Sequence, residues 1–495
     1  MAQFFEPIGL TPLDHITAKI YLPYMLYFDS NDSNTAVDTL RKGLDKPVEE
    51  IPWLAGDVVI HTKPDTRAFV HPPQTPPHEV AMLTIKHFGD DQAFRMHPTR
   101  EYLALPLFVP ASQQRLVLRF QANIFPSKIA LVMSFCHTVF DGSGAGMMLQ
   151  TLSECRCAAA RGSTESAQTP TTQTIRREAI AHRGEVSSWA LPSQCQTHLD
   201  HSLELGPSAF DSNLTTDQWG AMESALSLTS STSRLTFSAK KVADLKALCT
   251  RLLPQFYTSS ASGSDAPSPS PSPSSIPFSS NDIITAALGI SINRTMHPDR
   301  IQTDTPSHIL VADLRHRVTP PLPETYLGNM VYPVWNRIPS LTPPPTAENG
   351  HTKNININTP SNHTDLLSLT QLSLDLRTKV VSNMNSTLTR SVCAAVAEHG
   401  NWYGLEGKPA DVVMTSWRHL KVYTLDFGPK LGYIEDFESG FSLMPGACIM
   451  LPKRTRGGDG ETGELVDWEV AVTLRAGGGE FERLGKDPLL KRILA

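Results

Sequence analysis

An almost unbroken apolar run, followed by a glycine-rich turn, constrains the fold of this chain more than any other feature. Residues 129–136 have the length and composition of a strand buried on both faces. His137 follows at the end of that run, and Gly142, Gly144 and Gly146 precede an apolar stretch, residues 147–160, that predicts a helix. This order of strand, turn and helix predicts that His137 projects from a rigid edge into a cleft.

Asp141 lies four residues after His137, on the same short turn. An imidazole with an ordinary pKa of about 6.5 is mostly neutral near pH 7, so it can take a proton from a hydroxyl or amine that attacks a carbonyl carbon. We therefore predict His137 as a general base, with Asp141 either orienting its ring or fixing the turn through a cation elsewhere. Two alternatives are a satisfied core histidine and a metal ligand, although no third ligand residue lies at suitable spacing nearby.

The residues HTVFDG, 137–142, resemble the HxxxDG signature of the BAHD acyltransferases. A second motif, TSWRHLKVYTLDFGPKLG at residues 415–432, resembles the TSW segment and the following DFGWG of the same family. The order and separation of the two motifs fit the family, and weaker matches extend the resemblance over most of the chain. The resemblance implies an α/β fold of two similar chloramphenicol-acetyltransferase-like domains, with the active site in a channel between them.

The second motif supplies further candidate catalytic residues. Attack on a thioester forms an oxyanion, which needs hydrogen-bond donors at the place where the charge develops. The resemblance implies Thr415 as such a donor and Trp417 as a wall for the acyl group or acceptor; a strand with a buried tryptophan is the alternative. Asp426 opens the DFG-type motif, in which Pro-Lys-Leu replaces Trp-Gly as in the fungal branch of the family. It is a further candidate, and a role in the fold and the coenzyme channel is favoured for it.

Other candidates concern the partner of Asp141 and the coenzyme phosphates. Residues 311–317, VADLRHR, resemble the D-x-R segment of the family, which implies that Arg315 pairs with Asp141 across the two halves. Coenzyme A carries phosphates, which favour basic side chains and the N–H groups of helix starts. The candidate coenzyme contacts are Ser238, Lys246, Ser280 and Arg315, and ordinary solvated charges are the alternative for the basic members.

The chain length of 495 residues predicts two domains. Residues 1–190 are predicted to form an N-terminal acyltransferase domain with HxxxDG, and residues 233–495 a C-terminal one with the DFG-type motif. Residues 191–232 are expected to be the crossover linker. Two polar stretches, 259–275 and 342–364, are predicted to be disordered insertions, because they bury too little apolar surface to fold.

Three local patterns predict elements around these motifs. Apolar residues at helical spacing indicate a helix over residues 35–50, which Pro47 is expected to kink or shorten. Residues 115–124 alternate as a half-buried strand, which forms a hairpin with residues 129–136. Residues 281–294 form a further predicted helix with Ser280 as its N-cap.

Composition excludes several classes of protein. A net charge of −6 argues against a nucleic acid partner. No apolar run reaches the roughly 18 residues that span a bilayer, and the first residues lack the pattern of a signal peptide. The cysteines number seven and show no CxxC spacing, which favours reduced thiols. We therefore expect a cytoplasmic protein, monomeric, without a membrane anchor and without a metal.

These inferences predict an acyl-CoA-dependent O-acyltransferase. It is expected to move an acyl group, which the resemblance implies to be acetyl, from acyl-CoA to a hydroxyl of a small fungal secondary metabolite. Acyl-CoA is a co-substrate here, and no permanently bound cofactor is expected. No covalent intermediate is needed, and the chain lacks a GxSxG elbow. The alternatives are transfer to an amine, a condensation-type reaction with a carrier-bound acyl group, and a catalytically idle acyl-CoA-binding or interaction module.

Overall fold

The computed structural model describes residues 4–30, 32–61, 66–89, 100–109, 113–160, 183–187, 189, 205–207, 218, 221, 224–225, 228–257, 277–298, 306–338, 360–407, 409–439, 444–455 and 466–495. The strands are β1 Ile8–Gly9, β2 Tyr21–Asp29, β3 Asp57–Ile60, β4 Ala68–His71, β5 Leu83–His87, β6 Arg115–Leu116, β7 Leu118–Ile124, β8 Lys128–Cys136, β9 Leu205–Pro207, β10 Ser230–Phe237, β11 Ser307–Asp313, β12 Val331–Arg337, β13 Leu405–Gly407, β14 Val412–Ser416, β15 Asp436–Glu438, β16 Ala447–Met450 and β17 Trp468–Arg475. The helices are α1 Pro12–His15, α2 Ser33–Glu50, α3 Gly142–Ala160, α4 Ala239–Leu252, α5 Pro254–Tyr257, α6 Ser280–Met296, α7 Pro360–Thr378, α8 Ser386–Glu398 and α9 Glu480–Lys486.

Two large mixed sheets organise the molecule. One has the order β15-β2-β8-β7-β5 and is antiparallel except for the β5–β7 pair. The other has the order β10-β17-β16-β14-β11-β12, in which β14 runs parallel to both β11 and β16. Two smaller sheets, β1-β4-β3-β6 and β13-β9, complete the described strands. With helices packed among these sheets, the structure confirms the predicted α/β class.

The turn of residues 137–141 follows the strand predicted to carry it. β8 lies between β2 and β7, and eight of its nine residues are buried, as an apolar run in a central strand requires. The following helix α3 begins at Gly142, five residues earlier than predicted. The first positions of this helix are occupied by glycines because neighbouring groups leave no room for a side chain. A Cβ on Gly142 would lie 2.6 Å from the Trp417 ring, and one on Gly144 would lie 2.5 Å from the Leu327 carbonyl oxygen.

The two halves of the chain exchange residues at their cores. The core around β2, β7 and β8 includes side chains from much later in the sequence, among them Trp417, Phe427 and Phe437. β15 pairs with β2, so residues 436–438 extend the sheet of the N-terminal half. The predicted division at residues 190 and 233 therefore does not separate the cores, because contacts between distant segments leave no sign in local composition.

Several predicted boundaries differ from those of the structure. The linker prediction of 191–232 includes β9 and the start of β10, and the insertion prediction of 342–364 includes the first turn of α7. Ser279, rather than Ser280, caps α6, through a capping box with Asp282. α2 continues through Pro47 to Glu50. The rest of the second insertion, and all of the first at 259–275, lie outside the described residues.

A buried ion pair joins the halves beside the turn, as the resemblance implied. Both terminal nitrogens of Arg315 lie 2.8 Å from the carboxylate oxygens of Asp141. The Arg315 and Asp141 side chains are 2% and 1% exposed. Arg315 also donates to the carbonyl oxygens of Gly328, at 2.7 Å, and Tyr326, at 3.2 Å. The pair is thus a desolvated, bidentate contact, of the kind whose disruption strands a buried charge.

Replacing Asp141 by Asn should lower the free energy of unfolding by about 3–5 kcal/mol, because it removes the bidentate buried counter-charge of Arg315 and leaves only the partly exposed Asp313 beside the guanidinium. Adding Arg315→Met should recover part of that loss, since the one charge that then loses its partner, Asp313, is partly exposed to solvent. Chemical denaturation of the two single variants and the double variant measures the coupling. Asp38→Asn, in an exposed pair with Arg41, is the control and should change little. Strictly additive losses would exclude a coupled pair.

Candidate active site

His137 immediately follows β8, and the main chain and its own turn fix its position. Its backbone N–H donates to the Ile20 carbonyl oxygen at 3.0 Å, which continues the pairing of β8 with the chain before β2. Its ring nitrogen Nδ1 lies 2.9 Å from the Phe140 carbonyl oxygen. A carbonyl oxygen only accepts, so Nδ1 carries the proton and Nε2 has a free lone pair. The turn therefore selects the tautomer that a general base needs.

Burial lowers the pKa of His137 below its ordinary value, and the Phe140 carbonyl and the Asp141 charge oppose this effect only in part. Lys19 acts in the same direction as burial. The side chain still keeps partial access to solvent. The imidazole is thus neutral and reachable near pH 7, as a base must be before it accepts a proton.

Asp141 fixes the turn and does not orient the ring. Besides the two bonds from Arg315, its oxygens accept the backbone N–H groups of Gly144 and Met330, each at 2.9 Å. The orientation of the imidazole comes from Phe140 instead. Of the two roles that the sequence left open, the geometry supports the structural one. The prediction that Arg315 contacts the coenzyme does not fit the structure, because its guanidinium is buried and directed at Asp141 and backbone carbonyls.

The TSW segment lies beside the turn, but its two candidate residues differ in access. Thr415 is partly exposed on β14, next to Ile449 of β16. Trp417 is only 4% exposed, and its ring packs edge-to-face on Tyr24 with centroids 4.8 Å apart. Trp417 also covers Gly142 at the start of α3. Its position fits the alternative of a packed tryptophan better than that of a substrate wall.

Asp426 lies far from the turn that carries His137. Its backbone carbonyl accepts the thiol of Cys157 at 2.9 Å, and its carboxylate accepts the Gly428 N–H at 2.7 Å. Cys157 lies fifteen residues along α3 from Gly142, a helical rise of about 22 Å. This distance favours the role in the fold over a catalytic one. The Asp426 carboxylate stabilises a tight loop in which Gly428, Lys430 and Gly432 have positive φ angles.

The remaining coenzyme candidates lie on two helices of the C-terminal half. Ser238 is the N-cap of α4 and accepts the N–H of Lys241 at 3.4 Å. Lys246 is partly buried in the middle of α4, and Ser280 is the first residue of α6. Both helices bury apolar residues in the same core. Contacts of Ser238, Lys246 and Ser280 with coenzyme A remain a prediction.

A polar cluster that the sequence analysis missed lies next to the Asp141–Arg315 pair. The Ser143 hydroxyl lies 2.9 Å from both the Asp313 carboxylate and His419 Nε2, and Arg315 contacts Asp313 at 3.1 Å. Although burial raises it, the pKa of Asp313 is lowered overall by Arg315, so this carboxylate is ionised and accepts only. Ser143 then donates its hydrogen bond to Asp313 and accepts one from the N–H at His419 Nε2. His419 therefore cannot act as the base for a Ser143 nucleophile.

The described part of the chain shows neither a metal-binding cluster nor a membrane-spanning helix. No three His, Cys, Asp or Glu side chains in that part come together as a metal-binding group. None of the helices there is both long and apolar enough to cross a membrane.

Comparisons with known proteins agree with this geometry. A sequence model described as the Transferase family matches residues 95–476. The chain is 29% identical to communesin N16 acyltransferase of Penicillium expansum, over 95% of this chain and 94% of that one. It is 29% identical to fumigaclavine B O-acetyltransferase of Penicillium roqueforti, over 99% and 98%.

Solved structures share the fold. TRI101 of F. sporotrichioides, in complex with coenzyme A and T-2, has a TM-score of 0.69 at 17% identity, covering 99% of both chains. Vinorine synthase has a TM-score of 0.58 at 15% identity, covering 100% of this chain and 95% of its own. With a family match over most of its length, the chain belongs to the BAHD-type transferase family and is an acyl-CoA-dependent acyltransferase with a two-domain α/β fold.

Proposed function

We propose that this enzyme transfers an acetyl group from acetyl-CoA to a hydroxyl of a small secondary metabolite, with His137 as the general base. The observation that carries the proposal is the bond between Nδ1 and the Phe140 carbonyl, which leaves Nε2 free at the end of a rigid strand. The relatives named as O-acetyltransferases support the choice of acyl group and acceptor.

The transfer needs one proton relay and no covalent enzyme intermediate. Nε2 of His137 removes the acceptor hydroxyl proton as its oxygen attacks the thioester carbonyl carbon. The resulting tetrahedral oxyanion collapses, the carbon–sulfur bond breaks, and the protonated imidazole returns its proton to the coenzyme thiolate. The direction of the Ser143 hydrogen bonds supports direct attack, because they offer no activated serine.

Thr415 is the residue we propose as a donor to the oxyanion, since it is partly exposed on β14, two residues before Trp417. Ser238, Lys246 and Ser280 are proposed to contact the coenzyme.

Transfer to an amine is a second candidate reaction, because one relative is named as an N16 acyltransferase and the same base would serve a hydroxyl or an amine acceptor. We further propose a monomer in the cytoplasm; the burial of five of the six cysteines in the described residues agrees with thiols that stay reduced.

The His137→Ala variant should keep the fold and lose transfer by about two to four orders of magnitude, the usual contribution of a general base. The assay is thiol release from acetyl-CoA with a panel of small hydroxylated and amine-bearing metabolites. His78→Ala removes an exposed histidine and should leave kcat unchanged. A His137→Ala variant that retains more than a tenth of wild-type kcat would contradict the proposal.

The pH dependence of kcat/KM should show the lowered pKa of His137. Protonation of Nε2 stops catalysis, so kcat/KM should fall only as pH drops through a midpoint below the ordinary value of about 6.5. A midpoint above that value would contradict a buried base.

Stability must be followed in parallel with this profile. Burial lowers the pKa of His15 to about 3 and that of His308 to about 4. At these two residues the unfolded chain binds more protons than the folded one between about pH 6.5 and pH 3, so their contribution to the free energy of unfolding falls as pH falls through that range. Denaturation curves at each pH separate this loss from the titration of His137.

A further inference from the structure

Asp14, in the short helix α1, is the centre of a second buried polar network beside the turn. Its carboxylate is fully buried and accepts five hydrogen bonds. The donors are the backbone N and the hydroxyl of Thr11, Nη1 of Arg183, and the backbone N and Nδ2 of Asn329, at 2.7–2.9 Å. A carboxylate offers about four lone-pair sites, so this acceptor is saturated. We refer to Asp14, Arg183 and Asn329 as the Asp14 node.

Two donors of the Asp14 node continue to the catalytic turn. Nδ2 of Asn329 also lies 2.9 Å from the His137 carbonyl oxygen, and Nη2 of Arg183 lies 2.9 Å from the Val139 carbonyl oxygen. The amide nitrogen of Asn329 has two hydrogens, so it can bond Asp14 and His137 at once. The Asp14 node therefore fixes His137 and Val139 of the turn, whereas Arg315 fixes Asp141.

One loop connects the two buried carboxylates. The backbone N–H of Asn329 donates to Asp14, and the next N–H, that of Met330, donates to Asp141, each at 2.9 Å. The loop between β11 and β12, which also carries Arg315, thus holds the turn at both ends.

We propose that Asn329 is a positioning residue of the transfer reaction, which fixes the depth of His137 in the cleft by holding its carbonyl oxygen against Asp14. The proposal rests on the proposed role of His137 as the base. Phe140 orients the imidazole, but Phe140 belongs to the same turn, so its hydrogen bond cannot fix the ring relative to the rest of the protein. The backbone of His137 is held from outside the turn on two sides: its N–H bonds the Ile20 carbonyl, and its carbonyl oxygen accepts from Asn329, which is fully buried and belongs to the other half of the chain.

The other polar contact to the His137 carbonyl is longer. The Thr17 hydroxyl lies 3.3 Å from that oxygen, and its single hydrogen is shared with the Asp14 carbonyl at 2.9 Å. A base must stay within hydrogen-bond reach of the acceptor hydroxyl, and a displacement of about 1 Å is enough to lower a rate about 100-fold. Loss of the Asn329 amide should therefore affect the chemical step rather than substrate binding.

The test compares Asn329→Ala with Asn336→Ala in thiol release from acetyl-CoA, with the best acceptor of the panel. Asn336 is a matched control: it is 2% exposed, and its Nδ2 bonds the Val334 carbonyl, away from the turn. Asn329→Ala should lower kcat about 10- to 100-fold, with KM for both substrates within twofold of wild type. Asn336→Ala should keep kcat, even where denaturation shows a similar loss of stability. Equal kcat values for the two variants would overturn the proposal.

A double-mutant cycle with His137→Ala separates positioning from a general structural defect. If Asn329 acts through the base, Asn329→Ala should not lower the residual rate of His137→Ala any further. If Asn329→Ala lowers the rate of His137→Ala by the same factor as it lowers the wild-type rate, the proposal is overturned.

Two further outcomes are distinguishable. If Asn329→Ala does not fold, Arg183→Gln removes the other hydrogen bond from the Asp14 node to the turn. Arg183→Gln should then lower kcat by the same factor in the wild-type background, and it should not change the residual rate of His137→Ala. A fully active His137→Ala variant would refute the proposed function itself, whereas an inactive His137→Ala with a fully active Asn329→Ala would refute positioning alone.

Discussion

The geometry of the candidate active site depends on the buried ion pair between the Arg315 guanidinium and Asp141. Removing a guanidinium and a carboxylate from water is unfavourable, and only close pairing with further hydrogen bonds compensates for it. Arg315 meets this requirement with both oxygens of Asp141, with Asp313 and with the carbonyl of Gly328. Because Arg315 and Asp141 come from different halves of the chain, the turn has its defined shape only when those halves are docked.

The two carboxylates near His137 act on the backbone rather than on the imidazole. Asp141 receives the N–H groups of Gly144 and Met330, and Asp14 receives those of Thr11 and Asn329. His137 is consequently a neutral histidine whose Nδ1 is hydrogen-bonded to a carbonyl oxygen and not to a carboxylate. This arrangement keeps its pKa low, since a carboxylate bonded to Nδ1 would favour the protonated ring.

The sequence was sufficient for the elements whose signal is local. An apolar run predicts β8, and a histidine after it predicts the site. The start of α3 could not be predicted, because glycines usually indicate a loop. Here Gly142 and Gly144 are required because Trp417 and Leu327 pack too closely to leave room for a side chain. The position of Asp426 has no local signal, because it depends on a contact with Cys157, which lies 269 positions earlier in the chain. Asp14 and Asn329 carry no chemical signature of their own, because their roles arise from contacts between residues more than 300 positions apart.

The exchange of β15 has a consequence for how the protein is made. During synthesis the N-terminal half emerges first, yet β2, with eight of its nine residues buried, lacks its outer neighbour until residues 436–438 have left the ribosome. Until then, one edge of the five-stranded sheet exposes unpaired backbone groups to other chains. Folding of that half is therefore tied to completion of the polypeptide, and a chain cut between the two sheets would give a fragment prone to aggregation rather than an independent domain.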